Sequence, residues 1–160
     1  MIIKNNWLED DLQIFLEKKF KHFTPHYFFH GSKENDQFFY VSNFDDNDNL
    51  INYLNFKLQN FLQKNLFFHR VYINVQHPNM PGEFHYDGDA DITGLYMVCG
   101  DGDFEVKNEF RIPFEKNKLI IFNSNLIHKG HAPTKDIRIT LAFKIKLNSE
   151  DTSNAKKTKK

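Results

Sequence analysis

The sequence predicts a mainly β chain with N-terminal helices (α+β), a double-sheet jelly roll or a barrel buttressed by two amphipathic helices. Three observations predict it. Apolar residues recur at helical spacing in two stretches before residue 66, eight short runs of strand type follow from residue 67, and turn-forming residues stand between those runs. The 160 residues suit one domain with its own core. The expected division is helical support over 1–66, a jelly-roll core over 67–147 and a polar tail over 148–160.

The first helix starts at Asn6-Trp7-Leu8-Glu9, an N-cap residue with glutamate three positions on, the pattern of a capping box. Leu8, Leu12, Phe15, Leu16 and Phe23 then mark one helical face. After a strand-like run, Phe38-Phe39-Tyr40-Val41, the acidic turn Asp45-Asp46-Asn47-Asp48 caps a second helix. Its stripe is Leu50, Ile51, Leu54, Leu58, Phe61 and Leu62, a face that belongs against a core. Strands are expected at 67–76, 83–87, 92–98, 103–107, 110–113, 118–122, 126–131 and 137–147. The links between them are of turn type: His77-Pro78-Asn79-Met80-Pro81-Gly82, Gly100-Asp101-Gly102, Asn123-Ser124-Asn125 and Pro133-Thr134-Lys135-Asp136. The tail ends Lys156-Lys157-Thr158-Lys159-Lys160 and is expected to be disordered.

Charge and composition narrow the function. Lys+Arg and Asp+Glu both number 21, so there is no electrostatic footprint for nucleic acid or an anionic membrane. No run of 18 apolar residues is present, and Met1-Ile2-Ile3-Lys4-Asn5-Asn6 lacks the basic start of a signal peptide. Cys99 is the one cysteine, which excludes an internal disulfide and a thiolate zinc site and fits a cytoplasmic protein.

Eight histidines are spread over the chain. His22, His26, His30, His69 and His77 have no acidic or histidine neighbour at strand spacing and are read as non-ligands. His85-Tyr86-Asp87 differs, because residues i and i+2 of a strand share a face and would present an imidazole beside a carboxylate. A third ligand comes from His128 or His131 in Leu126-Ile127-His128-Lys129-Gly130-His131. Two histidines and one carboxylate leave three positions of an octahedral metal open, the arrangement of non-haem Fe(II) oxygenases, and suit zinc less well. Along 137–144 the odd positions are apolar, so Arg138, Thr140 and Lys144 share the other face. That face either lies in water or turns inward, where a buried guanidinium needs an anion such as a dicarboxylate. Tyr72, Asn74 and Gln76 form a similar polar face, and Tyr72 is a candidate second donor to an acid ligand.

These residues together resemble the 2-oxoglutarate- and Fe(II)-dependent oxygenases, in particular the prolyl-4-hydroxylase-like branch. The carried pattern is His85-x-Asp87, an interval of about forty residues, His128, then Arg138 ten residues later with Thr140 after it. Ile121-Phe122-Asn123-Ser124 and Gly130-His131-Ala132-Pro133 frame the distal histidine, and the likeness covers about residues 67–146. The resemblance implies a double-stranded β-helix (jelly roll) in which His85, Asp87 and His128 are catalytic metal ligands holding Fe(II). Arg138 would bind the distal carboxylate of 2-oxoglutarate, helped by Thr140 and Tyr72, with O2 as co-substrate and ascorbate as reductant. The ten-residue step to Arg138 favours His128 over His131, which would line the mouth. The implied activity is hydroxylation coupled to decarboxylation of 2-oxoglutarate to succinate and CO2. A prolyl residue of a protein or peptide is the first candidate substrate, ahead of a free amino acid or other small molecule and of a nucleobase. Two features depart from the branch: Arg138 stands where lysine is frequent, and its Gly-Gly-x segment appears here as Gly100-Asp101-Gly102-Asp103.

Besides the nucleobase substrate, two other readings compete. Asp87-Gly88-Asp89-Ala90-Asp91 imitates the opening of a calcium loop, but its sixth position is Ile92 rather than glycine and its twelfth Val98 rather than glutamate. A cupin-like jelly roll that binds a ligand without oxidising it shares the fold, and an open facial triad with Arg138 is what distinguishes the oxygenase from it. Oligomeric state is not legible in the sequence.

Overall fold

A computed structural model describes residues 1–30, 38–45, 48–80 and 82–147. The lysine-rich tail, and Asp46 and Asn47 of the acidic turn, lie outside the described residues. The elements in chain order are β1 (Ile2–Lys4), α1 (Asp10–Lys18) continued by a π-helical turn (Lys19–Phe23), β2 (Tyr27–His30), β3 (Phe38–Asn43), α2 (Asn49–Leu62), β4 (Leu66–Gln76), β5 (Ile92–Cys99), β6 (Asp103–Val106), β7 (Phe110–Pro113), β8 (Lys118–Asn123), β9 (His128–Gly130) and β10 (Arg138–Leu147). A seven-stranded sheet runs in the order β1-β8-β5-β10-β4-β3-β2 and a three-stranded sheet in the order β7-β6-β9, all pairs antiparallel. This is the jelly roll that the strand and turn pattern predicts. Among the described residues no helix is long and apolar enough to cross a membrane.

Period-two alternation on β10 decides what faces what. Ile139, Leu141, Phe143 and Ile145 point to a core shared with Leu16 and Phe20 from the first helical segment and Leu54 and Leu58 of α2. Arg138, Thr140, Ala142 and Lys144 therefore point to the opposite side, between the two sheets. There a second core of Met97, Phe104, Val106, Ile112, Phe114, Ile120 and Phe122 joins the sheets and leaves a cavity at one end. Helix α1 packs on β5 and α2 on β4, two of the strands that line this cavity.

Helix α2 begins as predicted: Asp48 caps it, its Oδ1 accepting from the backbone N of Leu50 (2.9 Å) and Ile51 (3.3 Å). Helix α1 does not. It starts at Asp10 after Glu9, without a side-chain cap, and Asn6 sits at φ 49°. The Trp7 and Leu8 amides are claimed instead by Asn117, whose backbone O and Oδ1 accept from them at 3.1 and 2.9 Å. Phe15 and Phe23, expected in the buried stripe, are 52% and 79% exposed. Gln13 takes the flank of α1 beside Leu16, donating to Val98 O at 3.0 Å, and the π-helical turn shifts the phase before Phe23.

Strands β1 and β2 were not anticipated, since three- and four-residue edge strands carry almost no periodicity. The run 83–87, expected as a strand, makes only a single bridge, His85 to His128. Beyond that bridge no ladder continues among the described residues, and the Asp87 amide donates to Ser124 O at 2.7 Å.

Asn117 is the pin that joins the N-terminal segment to the sheet. It is buried at φ 64°, donates from Nδ2 to Leu8 O (2.8 Å) and accepts at Oδ1 from Tyr96 Oη (3.2 Å) as well as from Leu8 N. Asn117→Ala leaves both Leu8 backbone groups unpaired in the core and is expected to destabilise the protein by about 2–4 kcal/mol, read from urea unfolding.

Candidate active site

The cavity between the sheets has a volume of about 410 Å³ and is lined by His85, Asp87, His128, Arg138, Thr140 and Tyr72. His85 arrives on the segment bridged to β9, Asp87 two residues on, and His128 at the start of β9. The backbone bonds His85 N to His128 O (3.0 Å) and His128 N to His85 O (2.8 Å) lock the two histidine-bearing segments in register. Their ligand atoms and an oxygen of Asp87 all lie within 4.8 Å of one another. His85 Nε2 is 3.7 Å from Asp87 Oδ1, and His128 Nε2 is 3.7 Å from Asp87 Oδ2. Among the described residues no other group of three histidine, cysteine or acidic side chains converges in this way. That disposes of the calcium-loop reading: Asp91 turns away to accept from Leu147 N at 2.9 Å.

The tautomers follow from the backbone. His85 Nδ1 lies 2.8 Å from Glu83 O, and His128 Nδ1 lies 2.8 Å from Leu126 O. A carbonyl only accepts, so each Nδ1 carries the hydrogen and each Nε2 presents a lone pair to the centre of the triad. Burial between the rings of Phe104 and Phe122 pushes His128 down to about 4, against the pull of Asp87, so it is neutral at pH 7. For Asp87, burial acts to raise the carboxyl. The Lys144 ammonium, His128 and a hydrogen bond from Thr93 Oγ1 (2.7 Å) outweigh it and hold Asp87 below the usual carboxylate range. One carboxylate oxygen and two imidazole nitrogens on one side of an open space make a donor set that could hold a divalent ion and leave coordination positions free.

Arg138 turns inward. It is 3% exposed, with Nη2 donating to Gln76 Oε1 and the guanidinium carbon 5.7 Å from the centre of the Phe114 ring. Gln76 is itself held by donation from Nε2 to Met80 O at 2.9 Å. Two glycines make the cradle: a Cβ on Gly130 would stand 2.5 Å from Nη2, and one on Gly102, at φ +105°, 2.8 Å from Nη1. The buried Nε has no partner among the described residues, and the Asn74 Oδ1 that shares the cavity is likewise unpaired. Burial lowers Arg138 to about 10, with Asp101 and Asp103 opposing, so it is fully charged at pH 7. A buried cation with an unused donor, facing a cavity that also holds an open triad, fits an acid ligand reaching from the triad to the guanidinium.

Thr140 and Tyr72 line the same cavity. The Tyr72 ring lies under the Arg70 guanidinium at 4.4 Å, and burial raises its hydroxyl above the ordinary phenol range. His131, the alternative ligand, is turned out of the cavity lining and pairs with Glu105 at 2.5 Å. His22, His26, His69 and His77 are also absent from the lining. Nothing in the sequence marks Thr93, which orients Asp87, whereas Gln76, placed on the polar face of its strand, proves to orient Arg138. The sequence places Lys144 on the right face without showing that its ammonium bonds Asp87 Oδ1. The alternation on β4 and β10 was the signal for Gln76 and Lys144.

No family model matches the sequence, and no curated protein matches it. Solved structures do. The chain is similar to the viral collagen prolyl hydroxylase from Paramecium Bursaria Chlorella virus-1 in its 2OG complex, with TM-score 0.71, 17% identity, and 90% of this chain and 94% of that chain covered. It is similar to an oxidoreductase of the 2OG-Fe(II) oxygenase family from Burkholderia pseudomallei, with TM-score 0.68, 12% identity and 91% and 84% coverage. It is also similar to a prolyl hydroxylase from Trichoplax adhaerens in complex with a hypoxia inducible factor peptide fragment, with TM-score 0.64, 12% identity and 96% and 86% coverage. The sandwich that brings His85, Asp87, His128 and Arg138 to one cavity is the fold of the 2-oxoglutarate- and Fe(II)-dependent oxygenases, prolyl hydroxylases among them.

Proposed function

We propose that the protein is a 2-oxoglutarate- and Fe(II)-dependent dioxygenase that hydroxylates a peptide, a prolyl residue first. The observation that carries this reading is the His85/Asp87/His128 triad opening onto the cavity where Arg138 lies buried with an unpaired Nε. The two imidazole Nε2 atoms and the Asp87 carboxylate hold Fe(II), and Arg138 with Thr140 and Tyr72 receives the dicarboxylate. Bound iron and 2-oxoglutarate supply the O2-driven oxidation that yields succinate, CO2 and a hydroxyl group on the substrate. The chain's own residues do the rest. Gln76 and the glycine cradle orient the guanidinium, Thr93 orients Asp87, and Phe104 and Phe122 keep water from His128. A peptide is preferred because prolyl hydroxylases, one of them holding a peptide, are among the structures of like fold.

The test is succinate formation by anaerobically purified protein given Fe(II), ascorbate, 2-oxoglutarate and air, first without substrate and then with prolyl peptides. In parallel, Mn(II) with 2-oxoglutarate is added and thermal unfolding followed. A ligand at a hundred times its Kd stabilises by about 2.7 kcal/mol, several degrees for a domain of this size. Slow uncoupled succinate, raised by a prolyl peptide, is the expected result. Stimulation by free amino acids alone moves the substrate to a small molecule. Neither stabilisation nor succinate leaves a cupin-like binding module and removes the enzyme.

A further inference from the structure

Lys144 stands with its ammonium on Asp87 Oδ1, its side chain 5% exposed, at the carboxylate that a bound metal would share. The other oxygen of that carboxylate accepts from Thr93 Oγ1. Lys144 lies directly across the ladder from Arg70 on β4, a juxtaposition of like charges that strands disfavour. Arg70 spends its Nε on Asn43 Oδ1 at 2.9 Å and has no ion-pair partner among the described residues. The Tyr72 ring, already under Arg70, lies 6.0 Å from Lys144 Nζ. The ammonium thus has one strong anchor, Asp87, and one weaker aromatic neighbour in the same cavity.

We propose that Lys144 is a tethered counter-ion of the metal site, a positioning residue that holds Asp87 in place in the metal-free protein and competes with the metal for its carboxylate. The inference rests on the oxygenase reading of the triad. Without metal, the lysine neutralises a buried anion that would otherwise be costly. A divalent ion arriving at the triad meets a carboxylate whose charge is already compensated and a positive charge beside it. Lys144 therefore sets the metal affinity below that of the same triad without the lysine.

The experiment is Mn(II) titration of the full chain by calorimetry, comparing wild type with Lys144→Gln, which keeps a donor without the charge, and Lys144→Met, which keeps only the length. Both variants are expected to bind Mn(II) at least about tenfold more tightly than wild type. Without metal they unfold at lower temperature than wild type, and saturating Mn(II) closes that gap. A lysine with a merely structural role would lower the unfolding temperature equally with and without Mn(II) and leave the affinity unchanged, which overturns the inference. Lys144→Gln provides the measurement if Lys144→Met does not fold. Binding by wild type with no tightening in the variants overturns this inference alone. No Mn(II) binding by any of the three proteins overturns it together with the oxygenase reading.

Discussion

Asp87→Ala is expected to abolish both metal binding and succinate formation, and at the same time to weaken the fold. The substitution removes the carboxylate of the triad, which among the described residues is also the one that pairs with Lys144. Breaking a buried ion pair from one side costs about 3–5 kcal/mol, because the remaining charge is left desolvated. His128→Ala is the companion that separates these effects. It also removes a side chain of the triad, but it leaves the Asp87–Lys144 pair intact and opens a gap beside Phe104 and Phe122, so its stability loss is expected to be smaller. Urea unfolding of the metal-free proteins ranks the two, and Mn(II) should stabilise wild type while stabilising neither variant. An Asp87→Ala protein that still binds Mn(II) as wild type does would remove Asp87 from the triad.

Arg138→Met is expected to act in the opposite sense on stability. The guanidinium is buried with Nε unpaired among the described residues, and Gln76 and the Phe114 ring offset its desolvation only in part. Methionine retains much of the aliphatic volume without the charge, and the metal-free variant should be as stable as wild type or more so. Its requirement for 2-oxoglutarate should rise by at least about a hundredfold, because the carboxylate loses a buried, charge-assisted partner. The measurement is 2-oxoglutarate titration in the presence of Mn(II), with Mn(II) affinity in its absence as the control. Unaltered 2-oxoglutarate dependence would take Arg138 out of its role.

These two effects differ in sign because the two buried charges are treated differently by the fold. Asp87 is met by the Lys144 ammonium and Thr93, whereas Arg138 is met by the neutral Gln76 amide and keeps an Nε with no partner among the described residues. Nothing in the sequence distinguishes them. Both residues stand in short polar-apolar alternations, and whether the face of Arg138 meets water or the interior depends on the second sheet that covers it.

Much of the architecture is a local matter and was therefore readable in advance. Period-two alternation over 137–147 and 67–76 is a property of extended backbone, so the segregation of Arg138, Thr140 and Lys144 from Ile139, Leu141 and Phe143 needs no tertiary information. The cap of α2 at Asp48 is likewise a matter of two or three residues. The expectations that failed at the N-terminus did so through distant partners. Asn117, over a hundred positions away, took the Trp7 and Leu8 amides that a capping box would have used, and the start of α1 moved accordingly.

In the cavity, the chain's order of residue types specified which side chains were available: His85, Asp87, His128, Arg138, and a lysine on the same face of the last long strand. The tertiary structure decided how they meet. His85 and Asp87 converge on His128 without the strand expected at 83–87, because one bridge to β9 and one bond from Asp87 N to Ser124 O hold that segment. His128 rather than His131 enters the site, since Glu105 on the neighbouring strand captures His131. Lys144 reaches Asp87 only because β10 runs through the middle of the large sheet beneath the triad. Side-chain direction along a strand is set by backbone geometry and can be read residue by residue. Which strand lies over which, and which charge finds which partner, depends on contacts between segments tens of residues apart, and only the packed structure supplies those.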